Sequence, residues 1–271
     1  MTDVLSALRH VLGDDKVRSG DAVNPDDLHD ESLHPEPRVP CAVVRPRTTA
    51  DVVAVTKIAT EFGVPLTPRG SGTGLSGGAK PVTDGIVLCF DAMKAVKSID
   101  VNDHVAVVEP GLTLRELDDV LSATGLHYPV YPGEMSGSLG GNINTNAGGM
   151  RAVRHGVTRQ HVLGLEAVLI DGTVLRTGAP VVKSSSGYDL TQLLVGSEGT
   201  LALVTEITLR LSPRFTNGAT VLVPFATLDH VTEVVPSIVA SGLQPSILEY
   251  LDVLTMGDRK STRLNSSHSQ Q

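Results

Sequence analysis

Between the extended piece Val64-Pro65-Leu66-Thr67-Pro68 and the apolar run Ile86–Phe90 lies Pro68-Arg69-Gly70-Ser71-Gly72-Thr73-Gly74-Leu75-Ser76-Gly77-Gly78-Ala79. This stretch constrains the chain more than any other. Five glycines, two serines and a threonine in twelve residues bring backbone N–H groups and hydroxyls close to one another. Glycine lets such a backbone approach an anion and aim successive amides at it, and the common anion is a phosphate. A flexible surface loop would have the same composition, so the stretch alone leaves both readings open.

Gly72, Gly74 and Gly77 spell G-x-G-x-x-G, and Asp91 follows about 20 residues later, as the dinucleotide fingerprint requires. That fingerprint also needs its third glycine inside a helix that packs back on the sheet. Here the chain continues Ala79-Lys80-Pro81-Val82-Thr83-Asp84-Gly85, too short and too broken by Pro81 and Gly85 for a crossover helix. The motif matches while its context fails, so this is not a Rossmann-type site.

The flanking chain reads as mixed α and β. Val4, Leu5, Leu8, Val11 and Leu12 mark an amphipathic helix closed by Gly13, and residues 20–40 form a polar, Pro-rich lead-in. His29 and His34 flank Asp30-Glu31 there, a conceivable metal cluster, but solvated loop histidines are the better reading. Cys41–Val44 predicts a strand, and Thr48-Thr49 caps a helix carrying Val52, Val55, Ile58, Ala59 and Phe62, stopped by Gly63. Ile86–Phe90 and Val105–Val108 predict two further strands. Pro110-Gly111 then turns into a helix with the capping box Thr113/Glu116, ended by Gly125.

A second glycine cluster spans Pro132 to Gly149, with six glycines and three asparagines between 133 and 149. Such runs suit a backbone laid against a large flat ligand whose polar edges amides can recognise. Val162–Ile170 and Val174–Thr177 predict a hairpin around Asp171-Gly172. A third loop, Gly196-Ser197-Glu198-Gly199-Thr200, stands directly before the strand pattern Leu201–Leu211. Beyond Pro213 the character changes. Val221–Val223, a helix opened by Thr227 that holds Pro236, and Ile247–Leu251 read as the first β–α–β of another domain. Residues 258–271 have one apolar residue and read as a non-native or disordered tail.

The 271 residues carry 41% hydrophobic and 19% charged side chains, ordinary for a soluble globular protein. No apolar run approaches a membrane span, and Met1-Thr2-Asp3 lacks a basic signal-peptide start, so the default expectation is cytoplasmic. A net charge of −8 argues against nucleic acid. Cys41 and Cys89 are expected to be buried, unpaired thiols, and no Cys/His spacing suggests zinc.

The three loops, in this order and spacing, resemble the FAD-binding domain of the vanillyl-alcohol oxidase/para-cresol methylhydroxylase superfamily. They are most similar to its D-2-hydroxy-acid dehydrogenase and glycolate oxidase FAD-subunit branch. The resemblance rests on residues 68–78, on Ser138-Leu139-Gly140-Gly141-Asn142 with Asn146-Ala147-Gly148-Gly149, and on Gly187-Tyr188-Asp189-Leu190 through Gly196–Leu201. It implies an α+β, PCMH-type FAD-binding domain of two α+β subdomains, followed by the start of an α+β cap domain. The expected organisation is a helix and lead-in over 1–35, the FAD domain over 36–215, the beginning of a truncated substrate or cap domain over 216–257, and the tail.

The resemblance also implies roles. Pro68, Arg69 and the loop Gly70, Ser71, Gly72, Thr73, Gly74, Leu75, Ser76, Gly77 and Gly78 would wrap the FAD pyrophosphate. Gly140, Gly141, Asn142 and Gly148 would lie along the ribityl and isoalloxazine parts, and Pro132, Gly133, Ser138, Asn146 and Ala147 would also contact the cofactor. Glu198, Gly199 and Ile207 would hold the adenosine and flavin edges, with Pro110-Gly111 as a turn near the cofactor. Some members attach flavin to a histidine in the first loop; Thr73 stands there, so the expected FAD is non-covalent. Pro132-Gly133-Glu134 replaces an Asp-Pro-Ser sequence found in much of the branch.

The implied reaction oxidises a small 2-hydroxy acid of the D-lactate or glycolate kind to the 2-keto acid, with hydride passing to flavin N5. The family's base and any metal ligands belong to the cap, so no catalytic residue and no metal ligand is assigned. His155 and His161 are expected to make structural hydrogen bonds, with Glu249 and Arg154 as substrate-side candidates. The acceptor (O2, a quinone or a protein) and the assembly, a homo-oligomer or complex subunit, stay open. Competing readings are a flavin-binding fragment without catalysis and relatives of aldonolactone oxidase or alkylglycerone-phosphate synthase. The enolpyruvoyl reductase of cell-wall synthesis shares the fold but not the Gly196–Leu201 pattern.

Overall fold

A computed structural model describes residues 3–33, 38–215 and 217–252. His34 and the tail 258–271 lie outside the described residues. Two sheets form the body. The first takes its strands in the order β1 (Val17–Arg18), β2 (Ala42–Val44), β4 (Ile86–Cys89) and β3 (Leu66–Arg69). Strands β2, β4 and β3 are parallel, and β1 pairs antiparallel with β2. Helix α2 (Thr49–Phe62) connects β2 to β3, held by a Thr48/Asp51 capping box and a left-handed Gly63 at φ 65°. Helix α1 (Val4–Leu12) packs beside it. Val52 and Val55 of α2 are fully buried against Ala42, Val44, Ile86 and Leu88, each such side chain contributing about 1.5–3 kcal/mol.

The connection from β3 to β4 contains no helix: the glycine stretch itself is the crossover between two adjacent parallel strands. The opposite face of this sheet presents Val43, Val87 and Cys89, and the lead-in covers it through Val23. Burial on both faces is why β2 and β4 read as continuous apolar runs. Arg45 fastens the lead-in here, its Nη2 2.8 Å from both carboxylate oxygens of buried Asp27 and its Nε 3.0 Å from Asp91.

The second sheet is antiparallel, in the order β5 (Val96–Asp100), β6 (Val105–Val108), β10 (Leu203–Arg210), β8 (Val162–Val168) and β9 (Val174–Gly178). Helix α3 (Leu114–Leu121), with the predicted Thr113/Glu116 capping box, and α4 (Leu139–Thr145) cover its core of Leu117, Leu121, Ile143, Ile207 and Leu209. A two-stranded piece pairs β7 (Leu126–His127) with β11 (Ser212–Pro213). Glu166 of β8 joins the halves. Its carboxylate accepts from Thr49 of α2 at 2.7 Å, Thr205 of β10 at 3.0 Å and Arg176 of β9 at 2.6 Å. Burial opposes its ionisation, but these donors outweigh that cost and hold its pKa below the ordinary value.

Several elements depart from the sequence pattern. β5 is a largely exposed edge strand with no apolar alternation to mark it. Helix α4 lies within the second glycine cluster, where two glycines and two asparagines in seven residues disguise it. Helix α3 ends at Leu121, ahead of Gly125, in a four-residue turn. The short helices α5 (Ala152–His155), ahead of β8, and α6 (Leu190–Leu194), between β9 and β10, belong to the second half. Val221–Val223 and 247–251 form no strand, because neither segment meets a ladder partner; Val221 stays 79% exposed. The helix between them, α7 (Leu228–Ala240), forms around Pro236 but buries no residue. Among the described residues no helix is long and apolar enough to cross a membrane.

Candidate functional site

A cavity of about 730 Å³ lies where β3, α4 and the start of β10 converge, within the usual range for ligand sites. Its walls include Pro68 through Ser76 and Gly78, then Pro110, Pro132, Ser138, Gly140, Gly141, Asn142 and Ala147, and finally Glu198 and Gly199. Three sequence-distant loops thus meet around one space. Gly77, Gly111, Gly133, Asn146, Gly148 and Ile207 do not line it. Ile207 is fully buried in the core of the second sheet. Gly111 is a packing position: its N–H donates to Met93 O at 2.7 Å, and a Cβ there would collide with Phe90 O. Asn146 caps α4 in the left-handed region at φ 49°, with Oδ1 accepting from Arg159 N, and a Cβ on Gly148 would stand 2.8 Å from Val157 Cγ1.

The loops interlock through α4. Ser138 Oγ accepts from Gly141 N, capping the helix, and from Ser71 N in the first loop, both at 3.3 Å. Its two acceptor positions are therefore committed to the scaffold, and only its O–H hydrogen remains to donate to a ligand. At the other end of α4, Ile143 O and Asn144 O accept from Gly196 N and Glu198 N at 2.9 Å. That pairing holds Glu198 at φ 56°, a conformation that costs a non-glycine residue energy and tends to occur at functional sites. A Cβ on Gly78 would lie 3.5 Å from Glu198 Oε2, so the first and third loops face each other.

Two buried atoms at this site lack partners: Arg69 Nε and Asn144 Oδ1. Gly72, at φ 75°, folds over the Arg69 guanidinium so closely that a Cβ would strike it. Such a small-residue cradle, lined by amides and hydroxyls and floored by a buried cation, fits a diphosphate with an attached flat ring system.

Asp30, Glu31, Phe90, Asn144 and Ala202–Val204 also line the cavity; the sequence marks none of them as a cofactor residue and offers Asp30-Glu31 only as part of a conceivable metal cluster. Asn144 shared the second cluster's composition and could have been found; Asp30 and Glu31 arrive from the lead-in by tertiary contact alone. Asp30 is buried. Burial opposes its charge, but hydrogen bonds from Ser32 and Ala79 and the charge of Lys80 prevail, holding its pKa below the ordinary value.

The residues considered for other roles lie elsewhere. A second cavity of about 360 Å³ shares the 131–136 loop, taking Tyr131 and Met135 where the first takes Pro132, Glu134 and Ser136. His127 and His155 line it. His161 Nε2 donates to His155 O at 2.8 Å and His127 Nδ1 to Ser212 O at 3.1 Å, and burial, aided by nearby arginines, lowers the pKa of all three histidines. Arg154 donates to Gln244 O and Ser246 Oγ and lies over the Phe215 ring, while Glu249 is exposed. Cys89 is a buried free thiol whose pKa burial pushes up to about 11, and Cys41 is a half-buried one. Among the described residues no group of three or more His, Cys, Asp or Glu could hold a metal ion.

Residues 40–178 match the family described as FAD binding domain. The chain belongs to that family. As an FAD-binding chain, it is 50% identical over 263 residues to an uncharacterized FAD-linked oxidoreductase of Mycobacterium tuberculosis, covering 97% of this chain and 57% of that protein. It is 43% identical over 210 residues to a D-lactate dehydrogenase of Archaeoglobus fulgidus, covering 78% of this chain and 47% of the relative. The chain therefore spans about half the length of the curated relatives it matches. A solved alkyldihydroxyacetonephosphate synthase superposes with a TM-score of 0.75 at 19% identity, over 90% of this chain and 46% of its own, and shows that the two share a fold. FAD is the cofactor of this domain.

Proposed function

We propose that the protein is the FAD-binding part of an oxidoreductase that oxidises a small 2-hydroxy acid, of the D-lactate or glycolate kind, to the 2-keto acid. The observation that carries this reading is the convergence of all three glycine loops on one cavity. The likeness to a D-lactate dehydrogenase supports the substrate class. Bound FAD would supply a hydride acceptor at its flavin ring. The first loop would bind the diphosphate with amides and the Ser71 and Ser76 hydroxyls. The loop around Pro132 and α4 would orient the ring, and the hydrophobic strand residues Leu203 and Val204 would exclude water from it. Thr73 has no nucleophile suited to a flavin bond, so FAD is held non-covalently. Residues 216–257 begin the domain that completes the substrate pocket, and the base belongs to that domain.

A second reading, FAD binding without catalysis by this chain alone, is favoured by one observation. Among the described residues the cavity walls contain carboxylates but no histidine. One experiment tests both. The purified chain is expected to show oxidised-flavin bands near about 370 and about 450 nm, released into the supernatant on acid precipitation. A folded protein that takes up no flavin on reconstitution refutes the cofactor assignment; flavin retained in the precipitate refutes non-covalent binding. A longer version of the protein should then reduce a dye with D-lactate or glycolate, and inactivity toward every 2-hydroxy acid would favour the second reading.

A further inference from the structure

The first glycine loop does not stand alone. Arg69, at the end of β3, is 7% exposed, and among the described residues no carboxylate pairs with it. Its guanidinium instead donates to backbone carbonyls: Nη2 to Asp26 O and to His29 O, and Nη1 to Gly70 O at 2.9 Å. Nε is buried with no partner. A buried cation satisfied only by neutral carbonyls is electrostatically incomplete, and an anion beside it would supply the missing counter-charge.

Two further contacts run from the lead-in to the loop. Glu31 N donates to Gly74 O at 3.0 Å, and Ala79 N donates to Asp30 Oδ2 at 3.4 Å. Residues 26–31 therefore follow the loop along its length, touching it at its start through Arg69, at its middle and at its end. The lead-in is itself anchored by the Asp27–Arg45 pair and by Val23 on the sheet. Glycine-rich loops lose the most conformational freedom on ordering, so a loop held in shape beforehand binds its ligand more tightly.

We propose that residues 26–31, outside the matched FAD-binding region, form one wall of the FAD site, with Arg69 as the positioning residue that locks the first glycine loop to that wall and sets a positive charge beneath the diphosphate. The inference rests on the cavity being the FAD site. It extends the site to a segment whose sequence carries no nucleotide-binding signature, and it accounts for the glycine at 72, where φ is 75° and a Cβ would meet the Arg69 guanidinium.

The test uses the full 271-residue chain, stripped of flavin and titrated with FAD by fluorescence quenching at low and high NaCl. Arg69→Met should weaken FAD binding about 100-fold and flatten its salt dependence, since the charged contact is gone. Glu31→Pro removes the donor to Gly74 O and Asp30→Ala the acceptor for Ala79 N; each should weaken binding about tenfold. The melting temperature of the flavin-free chain should stay within about 3 °C of the parent for these two variants. They keep the proposal testable if Arg69→Met does not fold. Unchanged FAD affinity in Glu31→Pro and Asp30→Ala overturns the proposal, as does a loss that only tracks a lower melting temperature. A parent chain that folds but binds no FAD overturns the cofactor assignment instead.

Discussion

A Cβ placed on Gly74, in the first glycine loop, would meet nothing within 4 Å, whereas one on Gly140, in the second cluster, would press on Pro110 Cβ at 2.7 Å and Pro110 O at 3.0 Å. The two stretches have nearly the same composition and serve different ends. The second cluster is zipped to residues 110–115: Gly140 N donates to Pro110 O and Leu139 N to Leu112 O, both at 2.8 Å, Leu114 N to Gly137 O at 3.0 Å and Arg115 N to Met135 O at 2.9 Å. Its small residues let two pieces of the same chain close on each other. The first loop has few such contacts, apart from those with 26–31, and keeps an open face toward the cavity. Gly140 permits packing, whereas Gly74 keeps space clear for a ligand; Gly70 and Gly72, in the same first loop as Gly74, are close-approach positions against Ser138 and Arg69.

The sharpest way to break this comparison is at Gly140. Gly140→Val should destabilise the fold by about 3 kcal/mol, lowering the melting temperature by about 10 °C with or without FAD, measured by calorimetry. A variant with unchanged stability would show that the second cluster is not a packing joint. Gly74→Ala should do the reverse: the melting temperature of the flavin-free chain holds, while FAD affinity falls about tenfold because the methyl group enters the ligand's space. Equal affinity would mean that the open face is not where FAD lies.

A smaller effect should come from pH. The second cluster leans on the turn that leads to His161, through Thr158 N and Oγ1, which donate to Ala147 O at 2.9 and 2.7 Å. Burial lowers the His161 pKa below its ordinary 6.5. The unfolded chain therefore binds the proton first, and stability is full above pH 6.5 and declines as pH falls through the folded-state value. Each such histidine contributes a slope of at most about 1.4 kcal/mol per pH unit. His161→Gln should flatten the decline in melting temperature between about pH 7 and pH 5. The first loop, held by Arg69 and Asp30, should not share that dependence, and an unaltered profile in the variant would remove His161 as its source.

The strand–helix–strand order around α2 with its Thr48 cap, the Thr113/Glu116 capping box, the β8–β9 hairpin and the three loops were legible because each is written in local chemistry: apolar period, cap residues and turn glycines. Helix α4 was hidden because its stability comes from Ile143 and Leu139 packing on β10 rather than from helix-forming residues. Val221–Val223 and 247–251 misled for the opposite reason. Their β-branched and apolar residues suit a strand, but a strand exists only where another chain segment pairs with it.

From the sequence alone came the glycine loops, the absence of a crossover helix after Gly78, and the family they resemble, since turn chemistry and short motifs are local properties. Tertiary structure decided which glycines face the cavity and which face the protein itself. It withdrew Ile207 and Gly111 into the core and committed the Ser138 oxygen to Ser71 and Gly141. It also brought Asp30 and Glu31 to the wall from a lead-in whose sequence carries no nucleotide-binding signal. Which side of a backbone is open depends on what packs against the other side, and residues 26–31 and 110–115 reach the loops across 20 or more positions of chain, beyond the range of any local pattern.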